Sequence, residues 1–561
     1  MAIIVIDIGG TGARCAAAAM YALTSGLAES SGFARKFGTK INFLHIDKDE
    51  KNGTGRASET AIKNYRNMYI RMAGQKAKMP ASYDVDWGFW KINEFRSNDA
   101  NSNLREVFPN EEDLLNLLFA DEDQTRRLDC GFEQRPALGA VYFARIQDSL
   151  EEKIADYMLN NTDDVAVFIF ASAFGGCGAS MFMHVAKFVR EKFSGSNLFI
   201  GGAFMEPYFL IPPLKDSFEA KKVNGDFRLQ TDDLIPATQK AFTYYGTMEN
   251  LFASDSNYAN TGEDEHYIFD ALYPLGLYPL CNNIKKSGDL KEEDFHKGND
   301  KQKSLYSLAD LLAALAFCDF LGRATNGGDS PFKPEDGTHN LMNTKLKHIA
   351  KGASTYEISP LTWENLPNGT EVKRRLLAMV KFALYTMCYL FPEYYSALSS
   401  GDRRGVNNSE LGKQFNRNQL SRSKEDQDTV EAVFTHSKQF IDFIRDIAAT
   451  NAGNRNSQLT ELLDVPGLDV LIKTLGDDME TAAKMKQELL DHTGRRFGLE
   501  CSGLVFGTDK GIRVTDEHLA YIPELIRTAY TSNQRPGDAA EFFARVYDAC
   551  LKLSTQTKEV A

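Results

Sequence analysis

Apolar residues along this chain gather in short unbroken runs, and the runs alternate with longer stretches of helical spacing. Residues 3–8 (IIVIDI) are apolar except for Asp7, the pattern of a strand buried on both faces of a parallel sheet. The glycine turn Gly9-Gly10-Thr11-Gly12 follows, then an alanine-rich helical stretch from Ala13 to about Leu23. INFLHI (41–46) reads as a second strand and ends in Asp47-Lys48-Asp49 and a polar loop. Helix is expected around 57–72 and 111–120, with an irregular part carrying Trp and Pro between them. From Pro136 to Tyr157 the spacing of Leu138, Val141, Tyr142, Ile146, Leu150 and Ile154 predicts an amphipathic helix. VAVFIFA (165–171) is the strongest strand; it runs into Phe174-Gly175-Gly176-Cys177-Gly178-Ala179-Ser180 and a helix, MFMHVAKFVREKF. LFIGGAF (198–204) is a further strand, and a helix follows Pro236.

Beyond residue 255 the chain is polar as far as 303, interrupted by the apolar piece ALYPLGLYPL. Leu308 to Leu321 reads as a buried helix, and a strand pair is expected near 345–365. The remainder is mainly helical, over 371–391, 428–449, 458–475, 478–491 and 537–553. Alternating strands and helices predict an α/β fold: a doubly wound, mostly parallel sheet with right-handed crossovers. In such sheets ligands bind at the carboxyl ends of the strands, where both glycine loops fall. The expected division is a sheet domain over 1–256, a smaller second domain over 257–368 and a mainly helical C-terminal region over 369–561.

Composition narrows the function classes. With 43% hydrophobic and 25% charged residues and a net charge of −13, the chain reads as soluble and globular, which disfavours binding to nucleic acid or an anionic membrane. The eight cysteines show no metal-ligand spacing and suit reduced thiols, so a cytoplasmic location is expected. The chain opens directly on a strand-like run without the pattern of a signal peptide. The most membrane-like stretch, 376–391, is interrupted by Lys381 and is shorter than the roughly 20 residues a transmembrane helix needs. No HxxxH, GxSxG or GxxxxGK[ST] motif is present.

The two glycine loops carry the chemistry. Glycines let backbone approach an anion closely, and a following helix offers unpaired N–H groups and the positive end of its dipole. Asp7 to Thr11 (DIGGT) also matches the first phosphate loop of actin-like sugar kinases, which keeps an ATPase of that class as an alternative. There the loop joins two strands of a hairpin, whereas here a helical stretch follows it.

Two strand–glycine–helix junctions in one α/β region, the second reading FIFASAFGGCGAS, resemble the tubulin/FtsZ superfamily, most closely its bacterial tubulin-like proteins. Four segments fall in that family's order. Gly9, Gly10, Thr11 and Gly12 match the first nucleotide loop; His45-Ile46-Asp47-Lys48-Asp49 looks like the second. The stretch from Cys130 and Gly131 to Gly139 is similar to the third, and Phe174 to Ser180 to the fourth. The resemblance covers about residues 1–321. It implies a nucleotide-binding protein with GTP as ligand (ATP as the other choice) and a Mg2+ ion near Asp47 and Asp49. It further implies a GTPase that self-associates head to tail into oligomers or filaments, with other components of a bacterial assembly as further partners. A scaffold that does not hydrolyse nucleotide is the alternative.

The resemblance also assigns residues. Gly9 to Gly12, Gly131, Gly175, Gly176, Cys177, Gly178, Ala179 and Ser180 would line the nucleotide, the backbone N–H groups of Gly10, Thr11, Gly12, Gly175, Gly176 and Gly178 holding its phosphates, with Asp47 close to ribose and metal. Cys177 stands where the family has a threonine. Arg14 and Lys240 occupy the positions that present an amide and a carboxylate to guanine, so the preference for guanine is expected to be weak. The hydrolytic acid, which in this superfamily serves the nucleotide of a neighbouring subunit, matches Asp310, with Glu293, Asp294 and Asp300 in reserve.

Overall fold

The apolar runs form parallel strands. In a computed structural model that describes residues 1–33, 39–50, 52–72, 83–91, 103–126, 128, 131–132, 135–158, 164–193, 198–210, 231–253, 268–276, 281–282, 304–326, 369–386, 424–450 and 539–556, six of them build one sheet. In chain order the elements begin β1 (Ala2–Ile8), α1 (Gly9–Thr24), α2 (Leu27–Ser30), β2 (Lys40–Asp47), α3 (Gly53–Met72) and β3 (Asp84–Lys91). Three short helices, α4 (Leu104–Val107), α5 (Glu112–Leu118) and α6 (Asp121–Thr125), precede α7 (Pro136–Met158). Then come β4 (Val165–Ser172), α8 (Cys177–Lys192), β5 (Leu198–Met205), β6 (Phe209–Leu210), α9 (Thr231–Ala253), β7 (Ala271–Leu275) and β8 (Cys281–Asn282). The last described elements are α10 (Leu308–Asn326), α11 (Gly369–Tyr385), α12 (Lys424–Thr450) and α13 (Ala539–Gln556).

The order across the main sheet is β3-β2-β1-β4-β5-β7, and every pair in it is parallel. The α/β class and the parallel sheet expected from the sequence are therefore present. The chain builds outward from β1 to β3, returns, and builds outward again from β4. The crossovers thus diverge between β1 and β4, the point where such a sheet opens a crevice at its carboxyl ends.

Alternate residues of each strand feed two cores. Ile3 and Val5 of β1 and Phe168 and Phe170 of β4 face the core shared with α1, α3 and α10. Ile4, Ile6 and Ile8, with Val167 and Ile169, face the one shared with α7, α8 and α9. Helix α1 is enclosed on all sides: Ala16, Ala17, Ala18 and Ala19 are fully buried. Alanine suits such a position because it lets the sheet, α3 and α10 approach the helix axis closely. Tyr21 meets Phe440 and Phe443 of α12, so the C-terminal helices form a further layer over α1 and α3.

Some elements differ from the sequence reading. The first glycine turn is absorbed into α1, which starts at Gly9, whereas Gly175 and Gly176 of the second remain a bend ahead of α8, which starts at Cys177. Strand β3 (DVDWGFWK) was expected to be irregular; it is an edge strand whose Asp84, Asp86 and Gly88 break the apolar run. The Asp86 carboxylate accepts the N–H of Trp87 and an Arg66 guanidinium hydrogen, which blunts that edge. The piece around 271–280 supplies the other edge, β7. Helix α10 packs on α1 and β5, within the core of the sheet. The strand pair near 345–365 and the helices expected over 458–475 and 478–491 lie outside the described residues, as do Cys130, Glu293, Asp294 and Asp300. Among the described residues no helix is long and apolar enough to cross a membrane.

Candidate functional site

The two glycine loops leave the ends of adjacent strands, because β1 and β4 pair directly with Asp7 beside Phe170. They touch: a Cβ built on Gly9 would lie 3.5 Å from Cys177 Cβ and 3.7 Å from the Gly178 nitrogen. Gly9 has φ +72°, a conformation open to glycine at little cost, and this turns the chain from strand to helix in one residue. Gly12 and Gly178 are needed for a different reason. A Cβ at Gly12 would stand 2.6 Å from the Phe170 carbonyl oxygen, and one at Gly178 would stand 2.7 Å from the Ser172 nitrogen. Both helices therefore start hard against the end of β4.

The other two segments close on this junction. Asn52 lies against Gly10, its amide nitrogen 3.3 Å from where a Cβ would be, while its Oδ1 accepts the Thr54 and Gly55 N–H groups and caps α3. Gly131, with φ +94°, comes within 3.8 Å of the Cys177 sulfur on the same measure. All four loops singled out in the sequence are thus contiguous at the carboxyl end of the sheet. Gly10, Thr11, Gly175 and Gly176 are its half-buried members and form the mouth.

Two helix N-termini point into that mouth, and neither is capped. Ile8 precedes α1 and Gly176 precedes α8, neither makes a side-chain cap, and neither first turn holds an acid. Elsewhere Asn52 caps α3, Asn103 caps α4, and the Asp310 carboxylate accepts the Ser307 N–H and hydroxyl at the start of α10, while α2, α5 and α6, which also lack a side-chain cap, each carry an acid in the first turn. An uncapped start leaves backbone N–H groups and a partial positive charge of about half a unit facing outward. Here two such ends converge, an arrangement suited to an anion with several oxygens.

Buried charges lie beneath the mouth. His45 Nδ1 pairs with the Asp7 carboxylate, residues in register on neighbouring strands. Burial disfavours the charged ring, but the Asp7 carboxylate, with a smaller push from Asp47, outweighs it and holds His45 above its ordinary pKa. Asp47 accepts the Asp49 N–H at 3.2 Å and the Cys177 thiol at 3.3 Å, so it ties the second loop to the fourth. Burial raises its pKa, and burial followed by the Asp47 carboxylate pushes the Cys177 thiol well up. Cys177 is accordingly a neutral thiol donor in a small slot, not a thiolate. Asp49 is buried in the same turn. Among the described residues no three His, Cys, Asp or Glu side chains gather to hold a metal ion.

Other residues expected at the site serve different ends. Ala179 is buried, its carbonyl accepting the Tyr245 hydroxyl of α9. Ser180 bonds back to the Gly176 and Cys177 carbonyls and packs beside Gly139 of α7. Lys240 is exposed on α9, a helix that packs through Phe242 and Tyr245 on the α8 side of the sheet. Arg14 turns away from the mouth: its guanidinium meets Asp310 at 3.4 Å, bonds to the Tyr208 hydroxyl and lies 5.7 Å from that ring's centre.

Asp310 is fully buried. One oxygen faces Arg14 and the Cys15 thiol, and the other accepts from the Ser307 backbone N–H and hydroxyl. A carboxylate held this way caps its helix and neutralises Arg14. The role expected of it, reaching a neighbouring subunit's nucleotide, calls for an exposed group.

Asp7, Lys48, Asn52, Tyr142 and Tyr208 were not singled out as site residues in the sequence. The available signal was position: Asp7, Lys48 and Asn52 are polar residues at or just past the ends of apolar strands. Tyr142 and Tyr208 had none, Tyr142 being read as helix core. No protein-family model, no curated protein and no solved structure matches the chain.

Proposed function

We propose that this chain is a nucleotide-binding protein of the tubulin/FtsZ type. Its ligand is a nucleoside di- or triphosphate, GTP in the first instance, with ATP as the competitor. The observation that carries the reading is the convergence of two uncapped, acid-free helix N-termini across the β1–β4 junction. The phosphates would lie on the backbone N–H groups of Gly10, Thr11 and Gly12 on one side and Gly176, Cys177 and Gly178 on the other. The order of the six strands and the contiguity of all four loops support it.

Magnesium fits this site only as an ion carried mainly by phosphate oxygens and water, a mode that needs one or two protein carboxylates. Asp47 and Asp49 are the expected pair, both buried in the turn after β2, with Asp47 also accepting the Cys177 thiol. With Arg14 held by Asp310 and Lys240 on an outer helix, neither reads a base edge, which supports a weak preference between guanine and adenine.

The burial of Asp310 favours, within this reading, a protein that binds nucleotide and assembles without turnover at that residue, over a self-assembling GTPase. The test is calorimetric titration with GTP, ATP and guanosine in magnesium, paired with phosphate release at rising protein concentration. Micromolar binding of both triphosphates, little affinity for guanosine, and flat, near-zero release are expected. Guanosine binding as tight as GTP would refute a phosphate site. Release that climbs steeply with concentration would restore the assembling GTPase.

A further inference from the structure

Helix α12 does not close completely on α3. The two run antiparallel: Arg71, late in α3, pairs with Asp428, early in α12, at 3.2 Å, while the ring of Tyr65 lies 5.6 Å from that of His436 in the core of the seam. Beside the ion pair the seam opens to solvent as a cleft of about 320 Å³. Its side chains explain the opening. Asn64 and Asn67 on one wall, and Thr435 and the buried Ala432 on the other, are too short to reach across. Each wall repeats at helical spacing, Asn64, Asn67 and Arg71 on α3 against Asp428, Glu431 and Thr435 on α12, so all six meet in one space.

The walls hold one cation, two carboxylates and two amides. The ion pair engages one guanidinium nitrogen, and both partners are about a third exposed, so Arg71 keeps donors to spare. Asn64, Asn67 and Glu431 make no side-chain hydrogen bond or ion pair among the described residues. An apolar occupant would strip these groups of water and return nothing. The volume is at the small end for a ligand pocket, which limits the occupant to a small polar molecule.

We propose that the cleft between α3 and α12 binds a small zwitterion of the α-amino acid class, its carboxylate on the Arg71 guanidinium and its ammonium on Glu431. The Asn64 and Asn67 amides answer its remaining polar atoms. A plain amine would leave the spare guanidinium donors unused, and a plain carboxylate would add a third anion beside Asp428 and Glu431. A zwitterion meets both signs of charge, and its two charged ends are charge-assisted partners for opposite walls. Bound there it ties α3 to α12, so it stabilises the folded chain.

Thermal denaturation of the full chain with each of the common L-amino acids, followed by calorimetric titration of the one that stabilises most, tests this. At least one is expected to raise the melting temperature by a few degrees. Its decarboxylated amine and its N-acetyl form each lack one charge and should bind at least about tenfold more weakly. Arg71→Gln and Glu431→Gln should weaken the amino acid itself by a similar factor. Glu431→Gln removes no bond within the described structure, so it should melt as wild type without ligand; this arm stands even if Arg71→Gln, which breaks the ion pair, does not fold. Glu425→Gln changes an exposed acid of the same helix outside the cleft and should bind as wild type. The proposal is overturned if no amino acid shifts the melting temperature, if the amine binds as tightly as its amino acid, or if Glu431→Gln keeps full affinity. No nucleotide enters the experiment, so each of these results leaves the reading of the glycine loops standing.

Discussion

Replacing Gly12 by alanine tests how tightly α1 is seated on the end of the sheet. The added methyl would lie 2.6 Å from the Phe170 carbonyl oxygen and 3.2 Å from the Asp7 carbonyl carbon. Both are backbone atoms of central strands, so relief requires α1 itself to shift by several tenths of an ångström. Overpacking of this kind costs about 1–3 kcal/mol. Alanine returns up to about 1 kcal/mol over glycine as a helix former. The net expectation is a loss of about 1–2 kcal/mol, a melting temperature lower by a few degrees, and weakened GTP binding because the two loops separate. Gly10→Ala is the companion. Its methyl meets the Asn52 amide at 3.3 Å, a side chain that caps α3 and not the backbone of a strand, so a smaller loss of about 0.5–1 kcal/mol is expected. It nevertheless stands in the mouth and should abolish GTP binding. Thermal denaturation followed by circular dichroism and calorimetric titration measure both variants. A Gly12→Ala protein that melts and binds as wild type would refute the seating of α1, and undiminished binding by Gly10→Ala would refute the position of the mouth.

Three further outcomes follow from the buried polar groups. Cys177→Ala strips the buried Asp47 carboxylate of its thiol donor and should cost about 1–3 kcal/mol in urea unfolding, while Cys177→Ser keeps a donor and most of the stability; equal losses would contradict the bond. Asp310→Ala leaves the buried Arg14 with the Tyr208 hydroxyl but no carboxylate and uncaps α10, so a loss of about 3–5 kcal/mol is expected; a fully stable variant that only loses phosphate release would mark Asp310 as a hydrolytic acid instead. Burial holds His436 at about 3 against an unfolded value of 6.5, so the folded chain binds fewer protons and its stability, complete above pH 6.5, falls as the pH drops below it. The slope approaches 1.4 kcal/mol per pH unit, roughly 2 kcal/mol between pH 7.5 and 5. His184, held by burial at about 4, acts in the same direction, and His45, with its raised pKa, acts in the opposite one. Urea unfolding at the two pH values should show a shallower acid loss for His436→Phe than for wild type, and identical slopes would contradict the burial.

The parts of the fold that could be read from sequence are those whose local pattern answers to one environment. IIVIDI and VAVFIFA are buried on both faces and admit little but central parallel strands. β3 was missed because an edge strand faces two environments, and Asp84, Asp86 and Gly88 interrupt its run. The four loops could be found because each follows a strand, but their convergence depends on β1 pairing with β4, a relation no local window contains. The same limit hid the Cys177–Asp47 bond, which joins residues 130 positions apart. Asp310 was found as the lone acid of an apolar helix start. Its direction was not legible, since α10 is apolar on nearly every side and periodicity assigns no outer face to such a helix. Arg14 was placed against a base for want of the information that α10 would bring it a carboxylate.

The central claim is that two glycine loops make one phosphate site. A crystal structure of the protein grown with GTP-γ-S and magnesium tests it most directly. Triphosphate density is expected at the β1–β4 junction, its oxygens within about 3.2 Å of backbone nitrogens from both Gly10–Gly12 and Gly176–Gly178. Nucleotide bound at any other place, or a junction left empty at saturating ligand, would contradict it.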